Sequence, residues 1–258
     1  MTYKSQTISA IVITENNAAT LERTLSSLHW VDELIVFDRG STDGSSTLAR
    51  GFTDKVFFHP SHNLAIVRRD ALSTAKCDWL LLIEPDEWVE EMLRHEVDGV
   101  LLNTPAHLNG FTLPRQLKFQ QQWVNIPLGE EPKRLLRLVR RKQWIILDDW
   151  EASLKVNGEV SKLDRPLGYA PYLTVESLFS AINDLSTLSA YRYLEMHGTA
   201  NGAQTPMNLI IKTKLAAWKQ FFLMGGLFKG ITGQTLAMAN TLEVFLKYAK
   251  VRALTVKS

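Results

Sequence analysis

The chain of 258 residues contains a single cysteine, Cys77. One cysteine excludes an internal disulfide framework and any multi-cysteine metal site, and it fits a reducing compartment such as the cytoplasm. No segment approaches the roughly 20 apolar residues that a membrane-spanning helix needs. The apolar run at 8–13 is also too short for the hydrophobic region of a signal peptide. We therefore expect a cytoplasmic chain that is either free or attached to a membrane surface.

The sequence also lacks the glycine-rich signatures of two large classes of nucleotide-binding proteins. No Gly-x-Gly-x-x-Gly follows a strand pattern and no Walker loop is present, which argues against dinucleotide oxidoreductases and P-loop enzymes. Residues 15–19, Glu-Asn-Asn-Ala-Ala, are not the glycine-rich basic loop that a sugar-nucleotide pyrophosphorylase should carry after its first strand. The six histidines show no ligand spacing, and we expect no nucleic-acid partner.

Charge of one sign has little excess, since 29 basic and 27 acidic residues leave a net charge of only +2, but the distribution is uneven. From Thr205 onward there are eight basic residues and one acid, Glu243, so this part carries +7 and the remainder −5. A basic tail beside an acidic body favours a negatively charged partner for the tail.

Hydrophobic periodicity predicts an α/β fold for the first hundred residues. Apolar runs typical of buried strands alternate with segments whose apolar residues recur at helical spacing. The predicted strands are 8–13, 33–38, 55–58 and 78–84, and the predicted helices are 18–28 and 64–76. This alternation is typical of a mainly parallel sheet with helices on both faces. Short strands should follow between 110 and 158, and helices at 174–196, 207–224 and 227–252. We expect a catalytic domain at 1–170 and a helical extension at 171–258.

Two groups of acidic residues lie where predicted strands end, which is where ligands bind in such sheets. Asp38 precedes Arg-Gly-Ser-Thr-Asp-Gly and could accept a hydrogen bond from a base or a ribose; a plain turn is the equally weighted alternative. For Asp43 we favour a helix cap. Glu84 and Asp86 could present oxygens to Mg²⁺ or Mn²⁺, although Pro85-Asp86-Glu87 could instead simply begin a helix.

The ordered set of motifs resembles the family-2 inverting glycosyltransferases, and more narrowly the bacterial branch that adds hexoses to the lipopolysaccharide core. The matching pieces, in chain order, are Ile11–Asn16, Leu25–Glu33, Asp38–Asp43, Arg68 with Ala71-Leu72, Asp78–Leu80, Asp86-Glu87, Arg137–Arg141, Glu151–Gly158 and Phe245–Lys250. Any single motif is weak, whereas the ordered set covers most of the chain and is fairly specific.

The resemblance implies a GT-A fold, which is a Rossmann-like α/β architecture, and a role for each matching residue. Thr14 and Asn16 would line the nucleotide pocket, Asp38 would bind the uracil or ribose of a UDP-sugar, and Arg68 would face the nucleotide or its phosphates. Glu84 and Asp86 would occupy the family's metal motif and hold Mn²⁺ or Mg²⁺ on the diphosphate. Glu151 would be the general base that activates the acceptor hydroxyl. The acceptor would be a bacterial glycolipid or an oligosaccharide.

The chain departs from the family pattern at several positions. Asn17 stands where Glu is usual, Glu84 replaces the first Asp of the metal motif, and Trp150 replaces a His before Glu151. Other departures are Arg39, Arg69, Pro85 and the loop 129–133. The substitutions at Asn17, Glu84 and Trp150 motivate a second hypothesis, a GT-A-shaped binding or scaffold protein with impaired catalysis.

The carboxy-terminal helices mix aromatic residues with lysines. Trp218, Phe222 and Phe228 lie among Lys212, Lys214, Lys219 and Lys229. A basic aromatic amphipathic helix is typical of anionic membrane interfaces, and the alternative is a helix packed on the catalytic domain with its lysines in water. We favour peripheral attachment to the inner face of the cytoplasmic membrane.

Overall fold

The computed structural model describes residues 6–124, 134–149, 152–197 and 206–256. The chain divides into two compact units, one formed by Met1–Gln116 with Pro132–Pro171 and the other by Leu117–Glu131 with Tyr172–Ser258. The predicted domain boundary after residue 170 stays a prediction, because compactness does not show that either part folds by itself.

The first unit contains a main sheet, four of whose strands are predicted from apolar runs, and a separate two-stranded sheet. Its strands are β1 (Ile8–Thr14), β2 (Glu33–Asp38), β3 (Val56–Phe58), β4 (Trp79–Ile83), β5 (Glu87–Trp88), β6 (Leu108–Phe119, whose last three residues lie in the second unit), β8 (Arg134–Arg140), β9 (Trp144–Ile146), β10 (Leu154–Val156), β11 (Glu159–Lys162) and β12 (Leu167–Tyr169). Strand β7 (Gln122–Val124) belongs to the second unit and pairs with the end of β6. The helices of the first unit are α1 (Ala18–Ser26), α2 (Ser45–Arg50), α3 (Leu64–Thr74) and α4 (Glu91–Leu102).

The strand order explains the fold class. The main sheet runs β3-β2-β1-β4-β8-β6-β12-β5. Strands β1 to β4 pair in parallel, and β8 then pairs antiparallel with both β4 and β6. The predicted mixed α/β fold with a mainly parallel sheet is confirmed. Parallel strands connected by helices require the crossovers that place α1 to α4 over the sheet.

Alternation along β1 separates two apolar cores. Ala10 and Val12 pack on one face of the sheet with residues of α1 and α4. Ile11 and Ile13 pack on the other face with residues of α3. Successive side chains of a strand point to opposite faces, so a continuous apolar run is what a sheet covered on both faces requires.

The second unit is helical, apart from the hairpin formed by the end of β6 with β7. Its elements are α5 (Val175–His197), α6 (Pro206–Trp218), a π-helical turn (Lys219–Leu223), a 3-10 turn (Gly226–Phe228) and α7 (Gly230–Val256). Within it, Lys250 of α7 donates to four oxygens of α5, and the rings of Tyr193 and Tyr248 meet edge to face with centroids 5.5 Å apart. No helix in the described ranges is both long enough and apolar enough to span a bilayer.

Candidate active site

Three of the predicted site residues lie at one edge of the parallel sheet. Thr14 is in register with Asp38 across β1 and β2. Val12 is in register with Ile83 across β1 and β4, so Glu84 follows at the same edge. The carboxyl ends of parallel strands are where α/β sheets bind ligands. The fold therefore gathers the end of β1, the end of β2 and the acidic turn after β4.

The loops after β1 and β2 are joined by hydrogen bonds between the side chains of one loop and the backbone of the other. Asn16, which has a left-handed φ of 56°, accepts from the Thr42 backbone N–H at 2.8 Å, and its own N–H donates to the Ser41 hydroxyl at 2.9 Å. Asn tolerates this φ better than most residues do. The amide oxygen of Asn17 accepts from the Thr14 hydroxyl at 3.2 Å. Both side chains predicted to line the pocket, Thr14 and Asn16, thus fix the shape of its rim.

Asp43 behaves as the favoured cap interpretation expected. Its Oδ1 accepts from the backbone N–H of Ser45, in the first turn of α2, at 3.0 Å. Its Oδ2 accepts from the backbone N–H of Ala18, in the first turn of α1, at 2.8 Å. These hydrogen bonds, led by one from the Ser45 hydroxyl, hold the pKa of Asp43 below its ordinary value. Asp43 therefore binds the first turns of both helices, whose N-cap residues are Asn17 and Gly44.

Asp38 is almost fully buried at the end of β2, with 4% of its surface exposed. Its Oδ1 accepts from both the backbone N–H of Ser41, at 3.0 Å, and the Ser41 hydroxyl, at 2.5 Å. Its Oδ2 accepts no hydrogen bond from the described residues. Oδ1 thus holds the loop in place, and Oδ2 has no hydrogen-bond donor among the described residues.

The acidic run after β4 forms a tight turn and not the start of a helix. The backbone N–H of Glu87 donates to the carbonyl of Glu84 at 3.0 Å, which closes a four-residue turn with Pro85 and Asp86 at its centre. Proline is favoured at the second position of such turns because its φ is already set. The alternative in which Pro85-Asp86-Glu87 begins a helix is wrong, since α4 begins only at Glu91.

Glu84 is held by two arginines. Its Oε1 lies 2.5 Å from Arg68 Nη2 and 3.2 Å from Arg137 Nη1. Burial by itself raises the pKa of Glu84, but Arg137 and Arg68 outweigh it, so the pKa lies below its ordinary value. Glu84 is therefore an ionised carboxylate whose first oxygen is already shared by two guanidinium groups.

The same arginine network extends to Glu87, which the motif analysis did not select as a site residue. The Glu87 side chain is fully buried, and its Oε1 lies 2.8 Å from Arg137 Nη2 and 3.4 Å from Arg115 Nη1. Its Oε2 accepts from the backbone N–H of Glu84 at 3.0 Å. A buried carboxylate is tolerated only when it is paired and hydrogen-bonded in this way.

A β-bulge brings Arg137 into this network. Phe111 pairs with Leu138 and Thr112 pairs with Leu136, so Arg137 is the extra residue of β8. A bulge locally redirects a side chain and is common beside active sites. The Arg137 side chain is 7% exposed. Two signals in the sequence mark this residue: an arginine inside the apolar strand Leu-Leu-Arg-Leu-Val, at 135–139, and its place in the matching piece Arg137–Arg141.

Asp86 differs from its two acidic neighbours. It takes part in no ion pair within the described part of the chain, and its side chain is half-buried at the centre of the turn. Burial, and then the charges of Glu87 and Glu84, raise the pKa of Asp86 to about 7. A cation placed against Asp86 would relieve this electrostatic penalty.

The donor set fits a divalent cation at Asp86 better than at Glu84. In the described ranges no group of three or more His, Cys, Asp or Glu side chains could enclose a metal ion. Mg²⁺ and Mn²⁺ sites that act on phosphates commonly use one or two carboxylates and take their other ligands from water and substrate. Asp86 meets that requirement, while Oε1 of Glu84 already binds two arginines. Metal binding by the predicted pair stays a prediction.

The predicted catalytic base, Glu151, lies outside the described residues, as do Trp150 and the loop 129–133. Ala152, the residue after Glu151 in the sequence, is described and fully buried. Its carbonyl accepts from Arg68 Nη1 at 3.0 Å. Arg68 thus links the backbone at Ala152 to the carboxylate of Glu84.

Comparison with known proteins defines the class of this α/β fold. The family model Glycosyl transferase family 2 matches residues 9–147, which is more than half of the chain. The matched segment contains the ends of β1, β2 and β4 and the arginine of β8. The chain belongs to glycosyl transferase family 2.

Particular relatives narrow the comparison. The chain is 26% identical over 258 residues to the lipopolysaccharide core biosynthesis glycosyltransferase LpsC of Rhizobium meliloti (strain 1021), which covers 95% of this chain and 91% of the relative. It is also 26% identical over 270 residues to an uncharacterized glycosyltransferase of Rickettsia bellii (strain RML369-C), covering 97% and 87% of the two chains. Among solved structures, the mannosyltransferase PcManGT of Pyrobaculum calidifontis, in complex with GDP-Man and Mn²⁺, matches with a TM-score of 0.50 at 14% identity and covers 96% of this chain and 86% of its own. That likeness supports the GT-A fold.

Proposed function

We propose that this protein transfers a hexose from a UDP-sugar to a bacterial glycolipid of the lipopolysaccharide-core type, or to an oligosaccharide, with inversion at the anomeric carbon. The observation that carries the proposal is the convergence of Asp38, Glu84 and Asp86 at one edge of the parallel sheet in a member of glycosyl transferase family 2. The similarity to a lipopolysaccharide core glycosyltransferase supports the acceptor class.

The donor nucleotide is assigned to the ends of β1 and β2. Asp38 Oδ2 is the carboxylate oxygen left after Ser41 has taken Oδ1, and it would accept a hydrogen bond from the uracil or the ribose. The loop held together by Asn16 and Thr42 would form the wall beside it. A pre-formed loop lowers the entropic cost of ordering the site when the donor binds.

The diphosphate is assigned to the turn after β4 and to the arginines around it. Glu84 keeps Arg68 and Arg137 in fixed positions, and these guanidinium groups favour the negative charge that grows on the leaving UDP. Asp86 would hold a Mn²⁺ or Mg²⁺ ion, with Glu84 as the weaker second ligand. A cation bound there would neutralise part of the diphosphate charge.

Glu151 is proposed as the general base, which accepts the proton of the acceptor hydroxyl as that oxygen attacks the anomeric carbon. The bond from carbon to the diphosphate oxygen breaks on the opposite side, so one displacement inverts the configuration. The contact of Ala152 with Arg68 supports this assignment, because it ties the following residue to the arginine that pairs with Glu84. Such a base contributes about 10²–10⁴ in rate.

A second candidate function is a nucleotide-sugar-binding protein with impaired catalysis. It is favoured by one specific observation, namely that the residue in the first metal-motif position, Glu84, already has Oε1 bound to two arginines. Such a protein would bind UDP without needing a metal ion.

Calorimetric titration of UDP with and without Mn²⁺ tests both candidates. The transferase requires binding that Mn²⁺ strengthens and that Asp38→Asn weakens by about 10- to 100-fold, since a hydrogen bond to a charged group contributes about 1.5–3 kcal/mol. Asp54→Asn, which alters an exposed carboxylate of the same unit, is the matched control. Metal-independent UDP binding without hydrolysis of any UDP-sugar would support the binding protein, and absence of UDP binding would contradict both.

A glycolipid acceptor would be presented at the inner face of the cytoplasmic membrane, so we propose peripheral attachment there. The +7 charge of the part that begins at Thr205 supports attraction to an anionic surface.

A further inference from the structure

The outward face of α6 and of the turns that follow it is apolar. Six residues, which we call the apolar face, are between 52% and 80% exposed: Ile211, Leu215, Trp218, Phe222, Phe228 and Ile231. Large apolar side chains scattered singly on a surface are ordinary, whereas a contiguous set marks an interaction surface. All six belong to the second unit.

Four of these residues form a single stripe along the helix. Ile211, Leu215, Trp218 and Phe222 follow one another at i, i+4, i+7 and i+11, which places them on one side of the helix. Residues of the other side, such as Thr213, Ala216 and Gln220, are half-buried. A surface helix of a water-soluble protein has the reverse arrangement, with its polar side outward. From Ile211 to Phe222 the stripe is about 17 Å long.

The charges around the apolar face select its partner. Lys214, Lys219 and Lys229 are exposed along it, and the sequence has no Asp or Glu between Glu195 and Glu243. A second copy of the chain would bring these lysines together with no carboxylate among them to pair with. Phosphate headgroups supply the missing negative charge, and acyl chains accept the aromatic and aliphatic side chains.

We propose that the apolar face is the docking surface for an anionic lipid bilayer, on which α6 lies parallel to the membrane plane. Trp218 and Phe222 enter the boundary between headgroups and acyl chains, and the three lysines bind phosphates. Membrane docking would give the enzyme access to a lipid-linked acceptor, and only this purpose rests on the proposed function.

Vesicle flotation of the full-length protein tests the proposal without donor or acceptor, so its outcome is independent of transfer activity. On vesicles of equal parts phosphatidylglycerol and phosphatidylcholine at low salt, we expect the protein to float with the lipid, and on phosphatidylcholine alone to remain largely free. The double variant Phe222→Ser with Phe228→Ser should lower the partition coefficient by about a hundredfold. Lys214→Gln with Lys219→Gln should lower it by roughly twentyfold.

The control removes two exposed apolar side chains from the other unit. Phe52 and Leu102 are 40% and 54% exposed, and Phe52→Ser with Leu102→Ser should leave flotation unchanged. Far-ultraviolet circular dichroism confirms that each variant retains its helices. Failure of the wild type to bind anionic vesicles, or undiminished binding of the Phe222/Phe228 variant, overturns the proposal. So does a wild-type dimer that this variant converts to a monomer, because the occupant is then a second copy.

Discussion

Replacement of Asp86 by Asn isolates the electrostatic penalty of one carboxyl group. Burial and the charges of Glu87 and Glu84 raise the pKa of Asp86 from its ordinary value of 3.8 to about 7. The unfolded chain therefore ionises first as the pH rises. The stability contributed by Asp86 is fully present below pH 3.8 and is lost as the pH rises through about 7. Asn has nearly the same shape and does not titrate.

The pKa difference sets the size of the effect. It makes the free energy of unfolding of Asp86→Asn greater than that of the wild type by about 4 kcal/mol at about pH 8, and by about 2 kcal/mol at about pH 5. These figures are upper limits, since the side chain keeps partial contact with water. The measurement is urea unfolding at both pH values without metal ions, followed by circular dichroism and by tryptophan fluorescence.

The exposed residue Asp54 supplies the control, because Asp54→Asn removes a carboxylate of the same unit from water and not from a half-buried acidic turn. A difference between Asp86→Asn and the wild type that is the same at both pH values would refute the electrostatic reasoning. Adding Mn²⁺ with UDP at the higher pH should stabilise the wild type, by the free energy of binding, and not the variant. Equal stabilisation of both proteins would remove Asp86 from the metal site.

Three further substitutions test the packing of the first unit. Arg137→Met removes the guanidinium that joins the fully buried Glu87 carboxylate to the half-buried Glu84 carboxylate, and should lower the free energy of unfolding by about 3–5 kcal/mol in urea titrations. Gly168→Ala would place a Cβ 2.2 Å from the Trp88 ring and should lower the melting temperature, whereas Gly99→Ala, with open space around it, should not. Asn63→Ala removes the side-chain cap of α3 and should cost about 1 kcal/mol, while Asn63→Ser should retain most of that stability. Each argument is contradicted if its substitution, Arg137→Met, Gly168→Ala or Asn63→Ala, leaves the stability of the protein unchanged.

The parallel half of the fold could be predicted because its strands are buried on both faces. Segment 33–38 was delimited correctly as β2, and Asp38 and Glu84 were placed at strand ends, from apolar runs alone. The mixed half was foreseen only as a class, since the short strands 144–146 and 154–156 carry too few residues to show a period.

The arginine cluster could not be derived from spacing. Arg137 reaches Glu87 only because one extra residue in β8 redirects its side chain, and a bulge leaves no periodic signal in a seven-residue strand. Likewise, an aromatic stripe at helical spacing on α6 does not reveal whether it faces α7 or water. That choice depends on tertiary packing, which sets the burial of each side chain.

The ion pairs of Glu87 with Arg137 also impose an order on folding during synthesis. Arg137 follows Glu87 by 50 residues, so at ribosomal speeds the arginine emerges roughly 3 to 10 seconds after the carboxylate that it must neutralise. Until then Glu87 cannot enter the interior without its main counterion, and the turn after β4 must stay hydrated. Closure of this corner of the sheet therefore waits for β8, however early β1 to β4 come together on the nascent chain.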